Sequence, residues 1–148
     1  MLNTEFGDDF GMYSGDGEYV IWIAETGEGM LIWVGYFDTI MDGCWTPNYS
    51  DKGMLYCYTK DIGFCDGEVW EMKHFDVVLE ELNAFDEENP NLRLDNGEML
   101  KGSLIDDSKK VLHRMIDLIQ KAKEHKMRVF IASDWCYEDA EELIRKVR

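Results

Sequence analysis

Tyr19-Val20-Ile21-Trp22-Ile23-Ala24, then Glu25-Thr26-Gly27-Glu28-Gly29, then Met30-Leu31-Ile32-Trp33-Val34-Gly35-Tyr36-Phe37 is the stretch on which the fold turns. Two apolar runs of strand length flank five residues that tolerate a tight reversal, and the pair reads as a β-hairpin. Both runs are apolar almost without interruption, so helices or loops are expected over both faces of the sheet they begin. Downstream, Met54 to Thr59 and Glu68 to Met72 read as further strands, with turns at Lys60-Asp61-Ile62-Gly63 and Asp66-Gly67. Asp38 to Gly53 carries Gly43, Pro47, Asn48 and Gly53 and is a loop by composition.

From Phe75 the period changes from sheet to helix. Phe75, Val78, Leu79, Leu82 and Phe85 make one helical stripe, which Glu87-Glu88-Asn89-Pro90 ends. Leu92-Arg93-Leu94 and Met99-Leu100-Lys101 around Asp95-Asn96-Gly97-Glu98 suggest a small hairpin. A long helix over 104–124 follows, with Leu104, Ser108, Val111, Leu112, Met115, Leu118, Ile119 and Ala122 on its apolar face. Ser103 is the candidate cap, with Asp106 completing a capping box, and Asp106–Lys110 and Asp117–Lys121 are candidate i,i+4 pairs. Arg128 to Ala132 reads as a late buried strand, and 137–147 as a last helix. The fold class is therefore α+β: a mixed or mainly antiparallel sheet from the N-terminal half packed against about three helices, with one late strand near 128–132. The chain of 148 residues, 45% hydrophobic, is expected to form a single domain over 1–148.

Charge is the strongest functional signal. The chain has 31 acidic against 15 basic residues, a net of -16, and residues 1–74 alone hold 14 acids and 3 bases. Such a surface repels nucleic acid and attracts cationic partners where carboxylates share a face. No stretch approaches the roughly 20 apolar residues that span a bilayer, and Met1 to Glu5 lacks the features of a signal peptide, so a cytoplasmic protein without membrane contact is expected. Cys44, Cys57, Cys65 and Cys136 are spaced by 13, 8 and 71 residues, which fits no zinc motif and implies free thiols.

Catalytic readings are weaker than plain ones throughout. Asp61, Asp66, Glu68, Glu71 and Lys73 could be assembled into a metal nuclease, but an edge strand with solvated charges explains them, and the net charge opposes a phosphate backbone. Cys136 lies at a predicted helix start, yet Glu138 and Asp139 oppose its thiolate. His74, His113 and His125 fit surface or boundary positions. No metal, cofactor or catalytic residue is assigned, and the chain is read as a non-enzyme.

Acids near turns and loop aromatics carry the binding reading. Asp8, Asp9, Asp16, Glu18, Asp38, Asp42, Trp45 and Tyr49 are the candidate partner-binding residues, with Glu25 and Glu28 in the hairpin turn and Tyr13 as further members of the acidic and aromatic sets. Carboxylates steer a cationic partner and aromatic anchors slow its release. In general character, as a compact acidic α+β chain with loop aromatics and no enzyme motif, the sequence resembles the immunity proteins that bacteria make against toxins. That resemblance implies a one-to-one complex with a basic toxin domain, a nuclease by preference, covered by charge complementarity. Two alternatives stand beside it: a DNA-mimic inhibitor of a DNA-binding protein, and a small enzyme whose site is dispersed in sequence.

Overall fold

Strand β1, Glu18–Ile23, lies at the heart of the sheet because its side chains are apolar on both faces. In the computed structural model, which describes residues 17–133, β1 pairs antiparallel with β2, Gly29–Trp33, on one side and with β4, Val129–Ser133, on the other. The short β3, Trp70–Met72, pairs antiparallel with β4, so the sheet order is β2-β1-β4-β3. Glu18 faces Trp33 and Trp22 faces Gly29 in the hairpin register. The reversal is closed by Ile23 N–H to Glu28 O and Gly27 N–H to Ile23 O, both 2.8 Å. A side chain at Gly29 would lie 2.7 Å from the Ile21 carbonyl oxygen, so only glycine lets the strands approach here.

Alternation along the strands sorts the two faces. Tyr19, Ile21, Ile23, Met30, Ile32, Met72, Val129 and Ile131 enter the main core, whereas Val20, Trp22, Phe130 and Ala132 form a smaller buried cluster on the other face. Trp22 and Phe130 stack there with ring centroids 5.8 Å apart. Both faces of β1 are buried, as its unbroken apolar run requires, whereas Leu31 and Trp33 on the second face of β2 are half-buried.

Four helices are found among the described residues: α1, Val34–Cys44; α2, Met54–Lys60; α3, Phe75–Asn83; and α4, Ser103–Glu124. The first two correct the sequence reading. The strand expected over Met30 to Phe37 stops at Trp33, and the first part of the expected loop, Asp38 to Cys44, is helix, while Trp45 to Gly53 is irregular as expected. Tyr36, Phe37, Ile40, Met41 and Cys44 recur at helical spacing and are buried together, which is what makes this segment a helix. Met54 to Thr59 is likewise helical. Met54, Leu55 and Cys57 turn inward, and Asp61 ends the helix in the left-handed region, where Ile62 N–H reaches Cys57 O at 3.1 Å.

The later elements follow the reading closely. Helices α3 and α4 and strands β3 and β4 fall within a few residues of their expected places. Arg93 and Met99 form an isolated bridge closed by Leu94 N–H to Glu98 O, a minimal version of the expected hairpin. Helix α4 packs on α1 and α3 through Ile105, Ser108, Val111, Leu112, Met115, Leu118, Ile119 and Ala122, with Ile105 buried where Leu104 was expected. Its cap is Gly102 without a side-chain bond, so Ser103 and Asp106 make no capping box. The two expected helical pairs are replaced: Lys110 meets Asp107 at 3.7 Å, and Lys121 reaches Glu28 across the fold at 2.6 Å. For Lys121 the packing of the hairpin turn beside α4 brings a better-placed acid, whereas Lys110 stays within its own helix at i,i+3. The expected last helix over 137–147 lies outside the described residues. No helix among the described residues is long and apolar enough to cross a membrane.

Candidate functional site

Asp38 and Asp42 lie one turn apart on the side of α1 opposite its buried stripe, where α2 packs beside it. Both are half-buried, and Tyr58 on α2 donates its hydroxyl to Asp42 Oδ1 at 3.3 Å. Burial, and then the Asp42 charge, push Asp38 up to about 6, against the opposing pull of Tyr58. Asp42 is raised by burial as well, again opposed by Tyr58. The Tyr58 phenol is driven upward by burial and by the two aspartates. Beneath it Phe37 links the pair to the aromatic core, its ring 6.3 Å from Tyr58 and 4.1 Å from Tyr19.

No lysine or arginine among the described residues pairs with either aspartate. Four cations are committed elsewhere: Lys109 to Glu87, Lys121 to Glu28, Lys123 to Asp76 and Arg128 to Glu25. Between residues 34 and 68 the sequence has six acids, Asp38, Asp42, Asp51, Asp61, Asp66 and Glu68, against Lys52 and Lys60. Two carboxylates held close, partly dehydrated and without a counter-cation favour any cation brought to them.

An aromatic row continues from this pair. Trp45, just past α1, donates its indole N–H to Thr59 Oγ1 on α2 at 3.2 Å, and its ring centroid is 6.4 Å from that of Tyr49. Tyr49 in turn lies 6.5 Å from Tyr56. All of these rings are partly exposed, with Trp45 and Tyr49 also packed against the core. They serve both as cover for a hydrophobic face and as exposed ring surface. The segment is pinned by Asn89, whose Nδ2 donates to Trp45 O at 3.1 Å and Gly43 O at 3.3 Å.

Four of the eight sequence-derived residues, Asp38, Asp42, Trp45 and Tyr49, are thus brought to one face. Glu18 stands at the start of β1 opposite Trp33, where α1 departs from the sheet, and Asp8, Asp9 and Asp16 lie outside the described residues, as does Tyr13. Tyr56 and Tyr58 were missed because their segment read as a strand. The signal that finds them is the Gly53 boundary followed by inward residues at 54, 55 and 57.

The groups considered for catalysis are arranged differently. Glu71 and Lys73 line a cleft at the β3 edge, but Asp61, Asp66 and Glu68 are not in it. Among the described residues no three His, Cys, Asp or Glu side chains group as metal ligands do. Burial pushes the Cys65 thiol up to about 12, Cys44 up to about 12 and Cys57 up to about 11, so these three are poor nucleophiles at neutral pH. Cys136 lies outside the described residues. His74 precedes α3, His113 is exposed on α4 and His125 caps its end, donating its backbone N–H to Lys121 O.

Compared with protein-family models, with curated proteins and with solved structures, the chain matches none.

Proposed function

We propose that this chain is a stoichiometric binding protein that neutralises a basic toxin, a nuclease by preference, in the cytoplasm, by laying the α1–α2 face over the toxin's cationic surface. The observation that carries this reading is the Asp38–Asp42 pair, half-buried and without a counter-cation beside a row of partly exposed rings. An arginine or lysine of the partner would occupy the space between the carboxylates and relieve their repulsion. Such a charge-assisted contact is worth more than an exposed ion pair because the carboxylates have already lost part of their water. Trp45, Tyr49 and Tyr56 supply the anchor surface. Net charge of -16 steers encounter over the longer range.

Affinity capture from native lysate at low ionic strength, read by mass spectrometry, tests the reading. The expected product is one basic protein that forms a one-to-one complex with the purified chain. Added salt should then slow association more than it speeds dissociation. Asp38→Asn and Asp42→Asn should slow association, and Trp45→Ala should speed dissociation by ~10-fold or more. A captured DNA-binding host protein would favour the DNA-mimic reading. A partner indifferent to all three substitutions and to salt would refute the assignment of this face.

A further inference from the structure

Strand β3 is last in the order β2-β1-β4-β3, and its far side faces no other strand among the described residues. The bonding of β4 decides which β3 backbone groups are left over. Ala24 N–H donates to Arg128 O at 2.9 Å, so Arg128 turns its backbone toward β1. Successive residues of a strand turn theirs to opposite sides, so Val129 and Ile131 bond to Met72 and Trp70 across the β3–β4 ladder. Glu71, opposite Phe130, therefore points its N–H and C=O away from the sheet. Neither the Glu71 nor the Lys73 backbone is bonded elsewhere among the described residues.

Glu71 and Lys73, two residues apart, both border a cleft of about 580 Å³ beside this edge, together with Asp51 and Lys52. None of the four makes an ion pair among the described residues. Arg128, which also reaches the cleft, is committed to Glu25, whose Oε2 accepts its Nε–H at 2.9 Å. The free charges at the edge thus cancel, two carboxylates against two lysines. On a chain of net -16 such a patch is where a second copy meets least repulsion, because charges farther than about 8 Å away are largely screened in physiological salt.

We propose that two copies of this chain join antiparallel at their β3 edges, about a two-fold axis at Met72, with Glu71 of each copy opposite Lys73 of the other. Each such pair exchanges its backbone N–H and C=O and sets a carboxylate beside an ammonium on the same face, with Cβ atoms about 5.5 Å apart. The interface is isologous and closes on itself, and the sheet continues through it. A short strand and charged side chains are also how monomeric proteins keep an edge unpaired. Charges of one sign would serve that end, since they repel in any antiparallel register. An acid and a base two residues apart attract in the register centred on the residue between them. The Asp38–Asp42 pair and the rings of Trp45, Tyr49 and Tyr56 do not line this cleft, so the dimer stands or falls independently of the toxin reading.

Sedimentation equilibrium of the full chain in physiological salt, from about 1 µM to about 1 mM, tests the proposal with charge exchange. A reversible monomer–dimer equilibrium is expected, with no larger species. Glu71→Lys and Lys73→Glu should each weaken the dimer ~10-fold or more, because each sets like charges opposite one another. Glu71→Lys makes the chain less negative, so a weaker dimer in that variant reports the local pair and not the net charge. The double variant should recover the original affinity to within about 3-fold, and an equimolar mixture of the two single variants should associate although neither does so alone. Thermal midpoints close to that of the parent chain show that both variants are folded. A monomer at every concentration would overturn the proposal and leave the charges of β3 as guards of the edge. A dimer indifferent to both single changes, or one that neither the double variant nor the mixture restores, would overturn it as well.

Discussion

Glu81 on α3 caps α2 from 27 residues away: its Oε1 accepts the Met54 backbone N–H at 2.8 Å, while Oε2 is buried without a hydrogen-bond partner among the described residues. Burial pushes Glu81 up to about 7, against the pull of the Met54 and Leu55 amides, and the Glu80 charge adds to the rise. A group whose pKa is higher in the folded chain than in the unfolded one holds its proton more tightly when folded. The resulting stabilisation is complete below about 4.5 and is lost as pH rises through about 7. Its size is on the order of 3 kcal/mol. Urea unfolding at constant ionic strength should therefore show stability falling from pH 5 to pH 8. Glu81→Gln should remove most of the slope above pH 6, and a slope that survives this change would assign the effect to another group.

The same contact explains Gly53. A Cβ there would lie 2.3 Å from Glu81 Oε1 and 2.4 Å from Oε2, although the backbone angle of -109° suits any residue. Gly53→Ala should cost roughly 1–3 kcal/mol through this contact alone. A double-mutant cycle isolates it: with Glu81→Ala in place, the cost of Gly53→Ala should fall by more than half. Additive costs would show that the glycine is needed for some other reason.

This long-range cap also marks where sequence reasoning stops. Met54-Leu55-Tyr56-Cys57-Tyr58-Thr59 is an aromatic and apolar run that suits a strand, and no side chain near Gly53 announces a helix start. The acid that satisfies its first amides is on another helix. In α1 the helical signal was present, at Tyr36, Phe37, Ile40, Met41 and Cys44, but the preceding strand runs into it without a polar break or a side-chain cap. Helix α4 was legible because its stripe repeats over 22 residues, and β4 because the apolar run Val129 to Ala132 follows after a short polar turn. The acids of the site were legible as acids. That Asp38 and Asp42 share a face depends on α1 being a helix, and that Tyr58 joins them depends on α2.

The half-buried Asp38 carboxylate is a cost to the free chain at neutral pH. Its raised pKa of about 6 carries the same sign as that of Glu81, so its charged form destabilises the native state as pH rises through that value. Asp38→Asn removes a like charge one turn from Asp42 and should stabilise the free chain at pH 8 by roughly 0.5 kcal/mol. Thermal midpoints at pH 8 and pH 5 check this, because the gain should shrink at pH 5, where the native aspartate is largely protonated. A loss of stability at pH 8 would mean that the carboxylate makes a stabilising contact in the free chain.

Thiol reactivity should follow burial. Cys44 and Cys57 are buried, each raised first by burial and then by the Glu81 charge, and Cys65 is half-buried against Tyr19, whose Oη lies 3.8 Å from its Sγ. In a Cys136→Ser variant, a disulfide reagent at pH 8 should label none of the three within minutes in native buffer and all three in denaturant. Fast labelling of Cys65 in native buffer would show a thiolate that these surroundings do not favour.

Ser108 gives the sharpest test of the core. It sits on the inward stripe of α4, fully buried, and its hydroxyl has no hydrogen-bond partner among the described residues. A buried hydroxyl without a partner has lost its water and gained nothing in return. Alanine removes that cost, leaves almost the same volume and is the better helix former. Ser108→Ala should therefore raise stability by about 1 kcal/mol, seen as a higher urea midpoint with an unchanged slope. A lower midpoint would require that the hydroxyl be bonded within the native core, and the helix packing around α4 would then need to bring an acceptor to it.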